Sequence, residues 1–326
     1  MSRPRFSVVI PVYNRPQELD ELLQSLAEQD YKDFEVIVVE DGSAIRSDTV
    51  VDKYRDRLRL DYFHKPNTGP GPSRNAGFSR ARGDYFVVFD SDCILPSHYF
   101  TAVNKALIQF GWDAWGGPDR AHEKFTVLQR AMGYTMSSVL TTGGIRGGKK
   151  RLGSFQPRSF NMGISRQVFE RTGGFKLDRY AEDIEFSIRM HKANFKVGLI
   201  PDAFVFHKRR TTLGQFYNQV KNFGRGRAQV GKVHPGEVKL THWFPAAFAI
   251  GLISLPLLPF LSMRIALFAA ICYSIYLIAI LVDSFLQNRD LRVAFLSVPS
   301  ALIQLTGYGT GFLREWFSRT HVSPGK

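Results

Sequence analysis

Cysteine is scarce in this sequence. Only Cys93 and Cys272 occur among 326 residues, and they lie far apart. Two such residues give neither a disulfide framework nor the spacing of a zinc site, and this usage is typical of a reducing compartment. Residues 1–5 are basic, but the apolar run that follows, residues 6–12, is too short for the core of a secretory leader. We therefore expect no leader.

Acidic residues are also few. The chain has 29 Asp and Glu against 43 Lys and Arg, which gives a net charge of +14 and a pI near 9.8. An anionic partner is expected, and nucleic acid, nucleotide phosphates or an anionic membrane surface all fit that charge. The sequence contains no nucleic-acid recognition motif, which disfavours nucleic acid as the partner.

One long stretch, residues 124–169, contains no acidic residue but eight Lys or Arg, including Lys149, Lys150 and Arg151. Two glycine pairs, at 143–144 and 147–148, precede this basic cluster. We expect a flexible loop that meets a lipid-linked pyrophosphate or anionic headgroups. A solvated loop without a ligand is the alternative.

Charge is missing from two runs near the C-terminus. Residues 243–262 and 265–282 are uncharged, and each run is long enough to span a bilayer. A pair of buried core helices is the alternative interpretation. A third run, residues 293–313, is less apolar and is expected to span or to lie against the other two. The basic residues before the first run predict a multi-pass protein of the cell membrane with its N-terminal domain in the cytoplasm.

The first 90 residues alternate between strand and helix patterns. Apolar, β-branched runs predict strands over residues 6–12, 34–39, 58–64 and 85–89, and apolar residues at helical spacing predict helices over 16–26 and 49–57. This alternation is typical of an α/β fold with a parallel, doubly wound sheet.

Two carboxylates, Asp90 and Asp92, follow the strand at 85–89. Alternate residues of a strand face the same side, so both carboxylates can project from its carboxyl end, where open α/β sheets bind their ligands. Oxygen ligands at such a place suit Mg²⁺ or Mn²⁺. An Asp-rich turn is the alternative.

Two further stretches carry candidate polar groups. A Gly/Pro turn at residues 67–72 opens a helix with Arg74 in its first turn, which is a suitable site for a diphosphate. Glu182 and Asp183 lie at the predicted start of a later helix, where a carboxylate is stabilised. A solvated arginine and a simple helix cap are the respective alternatives.

Six motifs in series give the sequence a family resemblance. It resembles the inverting family 2 glycosyltransferases with a GT-A fold over about residues 5–210. The matching residues are Pro-Val-Tyr-Asn at 11–14, Glu-Asp-Gly-Ser at 40–43, Ser-Arg-Asn-Ala-Gly at 73–77, Asp-Ser-Asp at 90–92, Asn-Met-Gly at 161–163 with Gly-Gly-Phe at 173–175, and Ala-Glu-Asp at 181–183. Two positions depart from the family pattern. Glu40 stands where the family usually has Asp, and Gly71-Pro72 replaces the small alanines that usually precede Arg74.

The resemblance implies roles for residues that bind the donor. Pro11 and Tyr13 would pack around the nucleobase, and Asp41 would accept a hydrogen bond from its edge. Arg74 would help to seat the base or the phosphates. Asp90 would face the ribose and the metal.

The resemblance also implies a metal shell and a catalytic base. Asp92 would ligate Mn²⁺ or Mg²⁺ together with Asp90, and His207 would complete the shell, although a histidine after a strand is often structural. Asp183 would be the general base that takes the proton of the acceptor hydroxyl. Residues in possible supporting roles are Glu182, Asn161, Arg225 and Arg227.

These inferences predict a domain order and a function. Residues 1–240 would form a GT-A glycosyltransferase domain with a basic pre-membrane segment at about 208–240, followed by two to three membrane helices at 241–313 and a short basic tail at 314–326. We expect transfer of a single sugar from a nucleotide-diphosphate sugar, with UDP-sugar favoured, to a lipid-linked or cell-surface glycan. The Gln-x-x-Arg-Trp motif of processive relatives is missing. The alternatives are a polyprenyl-phosphate acceptor, or a non-catalytic membrane protein that binds nucleotide sugar.

Overall fold

A computed structural model of the protein describes residues 4–120, 125–143, 155–207 and 210–319. The chain divides into two compact units. Among the described residues, unit 1 contains 4–120 and 155–207, and unit 2 contains 125–143 and 210–319. The predicted end of the first domain at residue 240 stays a prediction.

Unit 1 contains the ten strands of the described chain. They are β1 (Phe6–Val12), β2 (Phe34–Asp41), β3 (Leu60–Lys65), β4 (Tyr85–Phe89), β5 (Cys93–Ile94), β6 (Ala114–Gly116), β7 (Asp119–Arg120), β8 (Asn161–Ser165), β9 (Val197–Leu199) and β10 (Val205–His207). Seven of them form one sheet in the order β3-β2-β1-β4-β8-β6-β9, and β5-β10-β7 form a second, small sheet.

The helices are numbered through both units. Unit 1 has α1 (Pro16–Ala27), α2 (Asp48–Asp52), α3 (Pro70–Arg80), α4 (Tyr99–Phe110), α7 (Arg166–Thr172) and α8 (Glu182–Lys192), and unit 2 has α5 (Val127–Ser137), α6 (Val139–Thr142), α9 (Leu213–Val233), α10 (Phe244–Ser254), α11 (Leu258–Leu261), α12 (Met263–Asn288) and α13 (Leu291–Trp316). Short 3₁₀ turns at Leu240–His242 and Leu255–Leu257 flank α10.

The large sheet has a buried core on both faces, as a doubly wound α/β fold requires. The strand predicted at 85–89 is confirmed as β4, whereas the predicted 49–57 helix is wrong in length because α2 ends at Asp52. The sheet is also not wholly parallel: β8 runs antiparallel to both β4 and β6. Its first residue, Asn161, pairs with Phe89 at the end of β4, so β8 starts where the parallel strands finish.

The small sheet lies at the carboxyl end of β4. β10 pairs antiparallel with β5, so His207 is opposite Cys93, the residue after Asp92. β10 also pairs in parallel with β7. The small sheet therefore brings residues more than a hundred positions apart in the chain to the tip of β4.

Unit 2 is built around α13, which packs against α5, α9, α10 and α12. Glycines allow a very close approach of α9 and α13. A Cβ added to Gly224 would lie 2.1 Å from the carbonyl oxygen of Tyr308, and one added to Gly311 would lie 2.0 Å from that of Lys221. A side chain at either glycine therefore has no room.

Two helical stretches of the described residues are long and apolar enough to cross a membrane. They are Leu240–Leu261 and Met263–Asn288, with hydropathies of 2.0 and 2.6. In the most apolar part of each stretch, only 17% and 11% of the residues, respectively, are buried. The third predicted run lies within α13, which does not meet the same criterion and whose residues Val293, Ala301 and Phe312 are buried in unit 2.

Candidate active site

The predicted site residues of unit 1 gather at one edge of the large sheet. Asp41 is the last residue of β2, and Asp90 directly follows β4. These strands and β1 are parallel, so their carboxyl ends lie side by side. Pro11 lies in the last part of β1, and Tyr13 follows it with 52% of its surface exposed. An exposed ring beside these carboxylates offers a platform for a planar ligand.

Asp92 is paired with two basic side chains at this edge. Its Oδ2 accepts a hydrogen bond from Nη1 of Arg15 at 2.7 Å, and its Oδ1 lies 3.1 Å from Nε2 of His207. Burial alone would raise the pKa of Asp92, but His207 and Arg15 outweigh it and hold that pKa well below its ordinary value. The His207 ring stacks on Phe160, with centroids 5.0 Å apart. Asp92 is therefore charged, and His207 is held beside it.

The donor atoms around Asp92 fit a hard divalent cation. One atom each of Asp92, Cys93 and His207 lie within 4.8 Å of one another. Burial raises the pKa of the Cys93 thiol, whose sulfur lies 3.5 Å from the carbonyl oxygen of Phe160. Among these three groups, the carboxylate of Asp92 and the imidazole of His207 are the ligands that suit a hard cation. This oxygen and nitrogen set suits Mn²⁺, and Mg²⁺ with further oxygen ligands from a substrate.

Arg74 joins two carboxylates from different parts of the fold. Its side chain is 2% exposed; Nη2 donates to Oδ1 of Asp90 and Nη1 donates to Oε1 of Glu182, both at 2.7 Å. The Phe175 ring lies 5.2 Å from the guanidinium carbon. Burial raises the pKa of Glu182 to about 7 although Arg74 opposes the shift. The contact of Arg74 with the donor, which the resemblance implied, stays a prediction.

Asp183 lies in the first turn of α8, as predicted. Its Oδ1 accepts a hydrogen bond from the backbone N–H of Ile184 at 2.8 Å, and its Oδ2 lies 3.5 Å from Nη1 of Arg158. Ala181, just before the helix, has a left-handed backbone with φ of 54°. This turn presents the carboxylate of Asp183 at the start of the helix, where a base could meet a hydroxyl.

Asp41 is buried and held by several donors. Nζ of Lys65 donates to its Oδ1 at 2.6 Å, the N–H of Thr68 donates to the same oxygen, and the N–H of Gly69 donates to Oδ2 at 2.9 Å. Burial would raise the pKa of Asp41, but the bonds from Lys65 and Thr68 lower it overall. Asp41 is thus a fixed anion, with lone pairs left on Oδ2 for one further donor.

The residues predicted to support the site have separate places. Asn161 is fully buried; its Oδ1 accepts from the hydroxyl of Tyr99, and its Nδ2 donates to the carbonyl of Ala203. Arg225 and Arg227 belong to unit 2, where Nε of Arg225 lies 3.4 Å from Oε2 of Glu315. Their supporting roles stay predictions. The cluster Lys149, Lys150 and Arg151 lies outside the described residues.

Sequence reasoning missed three basic residues that contact the predicted carboxylates: Arg15 at Asp92, Lys65 at Asp41 and Arg158 at Asp183. Isolated basic residues are common at protein surfaces, so residue type alone did not mark these three. The only local signal was that of Arg15, which directly follows the Pro-Val-Tyr-Asn motif. The pairings depend on strand order, which single motifs do not reveal.

Comparison with solved structures defines the fold. The mannosyltransferase PcManGT from Pyrobaculum calidifontis, solved in complex with GDP-Man and Mn²⁺, matches 96% of this chain and 88% of its own, with a TM-score of 0.61 and 19% identity. S. aureus TarS 1-349 in complex with UDP-GlcNAc matches 99% of this chain and 95% of its own, with a TM-score of 0.52 and 19% identity. The fold is the glycosyltransferase GT-A fold.

The family is defined by sequence. The family described as "Glycosyl transferase family 2" matches residues 7–173, about half of the chain. The chain belongs to this glycosyltransferase family.

Curated relatives match shorter segments. The poly(ribitol-phosphate) beta-N-acetylglucosaminyltransferase TarS of Staphylococcus aureus is 40% identical over 92 residues, which are 27% of this chain and 16% of that protein. The uncharacterized glycosyltransferase EpsJ of Bacillus subtilis is 32% identical over 114 residues, 35% of this chain and 33% of that protein. The matches thus span a third or less of these relatives.

Proposed function

We propose that this protein is a metal-dependent, inverting glycosyltransferase of the cell membrane. It moves one sugar from a nucleotide-diphosphate sugar, with UDP-sugar favoured, to a lipid-linked or cell-surface glycan. The observation that carries this proposal is the paired Asp92 and His207 at the carboxyl edge of the sheet, on the same unit as Asp183. Neighbours of the same fold were solved with UDP-GlcNAc, and with GDP-Man and Mn²⁺, which supports a nucleotide-sugar donor.

Each residue of the edge has one task in this mechanism. Asp92 and His207 would hold Mn²⁺ or Mg²⁺, which would supply Lewis-acid stabilisation for the leaving diphosphate. Asp41 accepts from the nucleobase edge, and Tyr13 packs against the base. Asp183 takes the proton from the acceptor hydroxyl as that oxygen attacks the anomeric carbon and the bond to the diphosphate breaks.

Arg74 has an indirect task in the same reaction. It is buried and bound at both ends, so it positions other groups instead of binding the donor. Through Asp90 it orients the tip of β4, and through Glu182 it orients the start of α8. Arg74 thereby holds the metal ligands and the base in fixed positions relative to one another. This matters because catalysis depends on sub-ångström placement.

The membrane proposal depends on unit 2. The stretches Leu240–Leu261 and Met263–Asn288 cross the bilayer, and their mostly unburied apolar residues, such as Phe260, Phe268 and Ile275, face lipid. The basic residues of α9 favour a cytoplasmic catalytic domain. Such an anchor holds the enzyme where lipid-linked acceptors are found.

One observation favours the second candidate acceptor, a polyprenyl phosphate. Arg158 lies 3.5 Å from Asp183, so a guanidinium stands where the acceptor must arrive. An arginine at this place suits an acceptor with a phosphate. With such an acceptor the attacking oxygen is already ionised, and Asp183 would not be needed as a base.

The test uses the full chain in detergent with a panel of nucleotide sugars. We expect diphosphate release with Mn²⁺ and a membrane extract, lost with Asp92→Asn. A glycan acceptor requires Asp183, whereas turnover on polyprenyl phosphate that survives Asp183→Asn would establish the second candidate. Binding of nucleotide sugar without any transfer would make the protein a non-catalytic binder and overturn both.

A further inference from the structure

We propose that Arg15 is a diphosphate-binding residue that holds Asp92 until the metal and the donor arrive. On loading, its guanidinium leaves Asp92 and donates to the phosphate oxygens of the donor. The inference rests on the proposed function, which supplies the nucleoside diphosphate. It adds a residue that the predicted site does not contain.

Both carboxylate oxygens of Asp92 are engaged, one by Arg15 at 2.7 Å and the other by His207 at 3.1 Å. A divalent cation bound to Asp92 would lie beside the Arg15 guanidinium, and the two positive charges would repel each other. His207 can turn a ring nitrogen lone pair toward the cation and stay as a ligand. A guanidinium has no lone pair to offer and stays charged, so Arg15 is the partner that leaves.

The contact of Arg15 with Asp92 is built to be released. The Arg15 side chain is 37% exposed, while that of Asp92 is 8% exposed. Partly exposed ion pairs contribute little to stability, because water replaces the partner at small cost. Arg74 differs in this respect, since it is buried and bound to two carboxylates. Release of Arg74 would leave Asp90 and Glu182 without their guanidinium, whereas the cation that displaces Arg15 takes its place beside Asp92.

The backbone keeps Arg15 close to the site after release. The N–H of Asn14 donates to Oγ of Ser43 at 2.8 Å, and its side-chain oxygen accepts from the N–H groups of Ala44 and Ile45. Pro16 then begins α1. The Cα of Arg15 is therefore fixed between two anchored neighbours, and only its long side chain moves.

The position of the released guanidinium suits a diphosphate. A diphosphate that is bridged to Asp92 through a cation lies next to the place that the guanidinium leaves. Arginine binds phosphate oxygens with two parallel hydrogen bonds, a geometry that lysine cannot reproduce. Arg15 therefore weakens metal binding when no nucleotide is present. It strengthens nucleotide binding once the metal is bound.

The experiment measures binding and not turnover. The full chain in detergent is titrated with Mn²⁺ alone, followed by electron paramagnetic resonance, and with UDP or GDP in saturating Mn²⁺, followed by calorimetry. Arg15→Gln should bind Mn²⁺ about two- to fivefold more tightly, because a weak competing ion pair is gone. It should bind the nucleoside diphosphate roughly ten- to a hundredfold more weakly, because a charge-assisted contact is lost. Arg55→Gln, which breaks an exposed pair with Asp52, is the matched control.

Opposite shifts support the proposal, and any other pattern overturns it. If Arg15→Gln melts well below the wild type, Arg15→Lys decides: it keeps the charge near Asp92, so Mn²⁺ affinity should stay within about twofold while nucleotide affinity falls. Unchanged nucleotide affinity in that variant overturns the proposal. A wild type that binds neither UDP nor GDP refutes the proposed function as well, so the two failures can be told apart.

Discussion

Arg74 donates a hydrogen bond from Nη1 to Oε1 of Glu182 at 2.7 Å, and both side chains are buried. The two residues are separated by 108 positions in the chain. Because the other end of the guanidinium holds Asp90, this contact ties the tip of β4 to the start of α8. The contact thereby links the carboxyl edge of the sheet to the helical turn that contains Asp183.

Truncation of Arg74 to Ala should destabilise the protein by about 3 kcal/mol, because the partner carboxylate is left buried and must remain unpaired or take up a proton. Thermal and urea unfolding of the full chain in detergent would measure the change. Arg55→Ala, at an exposed pair, should stay within about 0.5 kcal/mol. Equal losses for the two variants would contradict a structural role for Arg74.

Glu182 should make stability depend on pH. Burial raises its pKa from 4.5 to about 7 in the folded protein, so the folded state binds the proton more tightly than the unfolded state. Glu182 contributes up to about 3 kcal/mol to the free energy of unfolding. This contribution is complete below pH 4.5 and is lost as pH rises through 7. The free energy of unfolding of the wild type should therefore fall between pH 5 and 8 relative to Glu182→Gln. A parallel pH dependence of the two proteins would show that Glu182 does not titrate in this range.

Asp183→Asn should leave donor binding intact and lower kcat by about 10²- to 10⁴-fold, the usual contribution of a general base. Steady-state kinetics and donor titration separate the two effects. Asp178→Asn makes the same chemical change at an exposed residue of the preceding loop and should have little effect. A loss of donor affinity as large as the loss of rate would make Asp183 a donor contact.

Asp92→Asn should weaken Mn²⁺ binding by more than about a hundredfold, because an amide replaces the anionic ligand. Direct Mn²⁺ titration tests this without reference to turnover. Asp52→Asn, at an exposed carboxylate, is the control for the change in charge. Wild-type-like turnover of Asp92→Asn in EDTA would refute a metal role for Asp92.

The sequence predicted local features well. The bounds of β4, the position of Glu182 and Asp183 at a helix start, and the family were all accessible, because apolar periodicity and short motifs are local signals. The reversed direction of β8 was not accessible, since it depends on which strand the returning chain meets. The same holds for Arg15 and Arg158, whose carboxylate partners lie 77 and 25 positions away in the chain.

The third apolar run illustrates the same limit in unit 2. Its composition left open whether it spans the bilayer or lies against other helices, because composition does not identify the neighbour. The structure places α13 against α9, with glycines at the contact. Helix packing by close backbone approach depends on small residues of both partners, and neither segment shows it alone.

The close contact of Gly224 and Gly311 with the facing backbone also limits how unit 2 can move. Side chains that normally act as adjustable spacers between helices are missing there, so α9 and α13 cannot rotate or slide past one another without a collision of main chains. We therefore expect α9 and α13 to move together as one rigid body. A methyl group added at Gly224 or Gly311 would force the two helices apart.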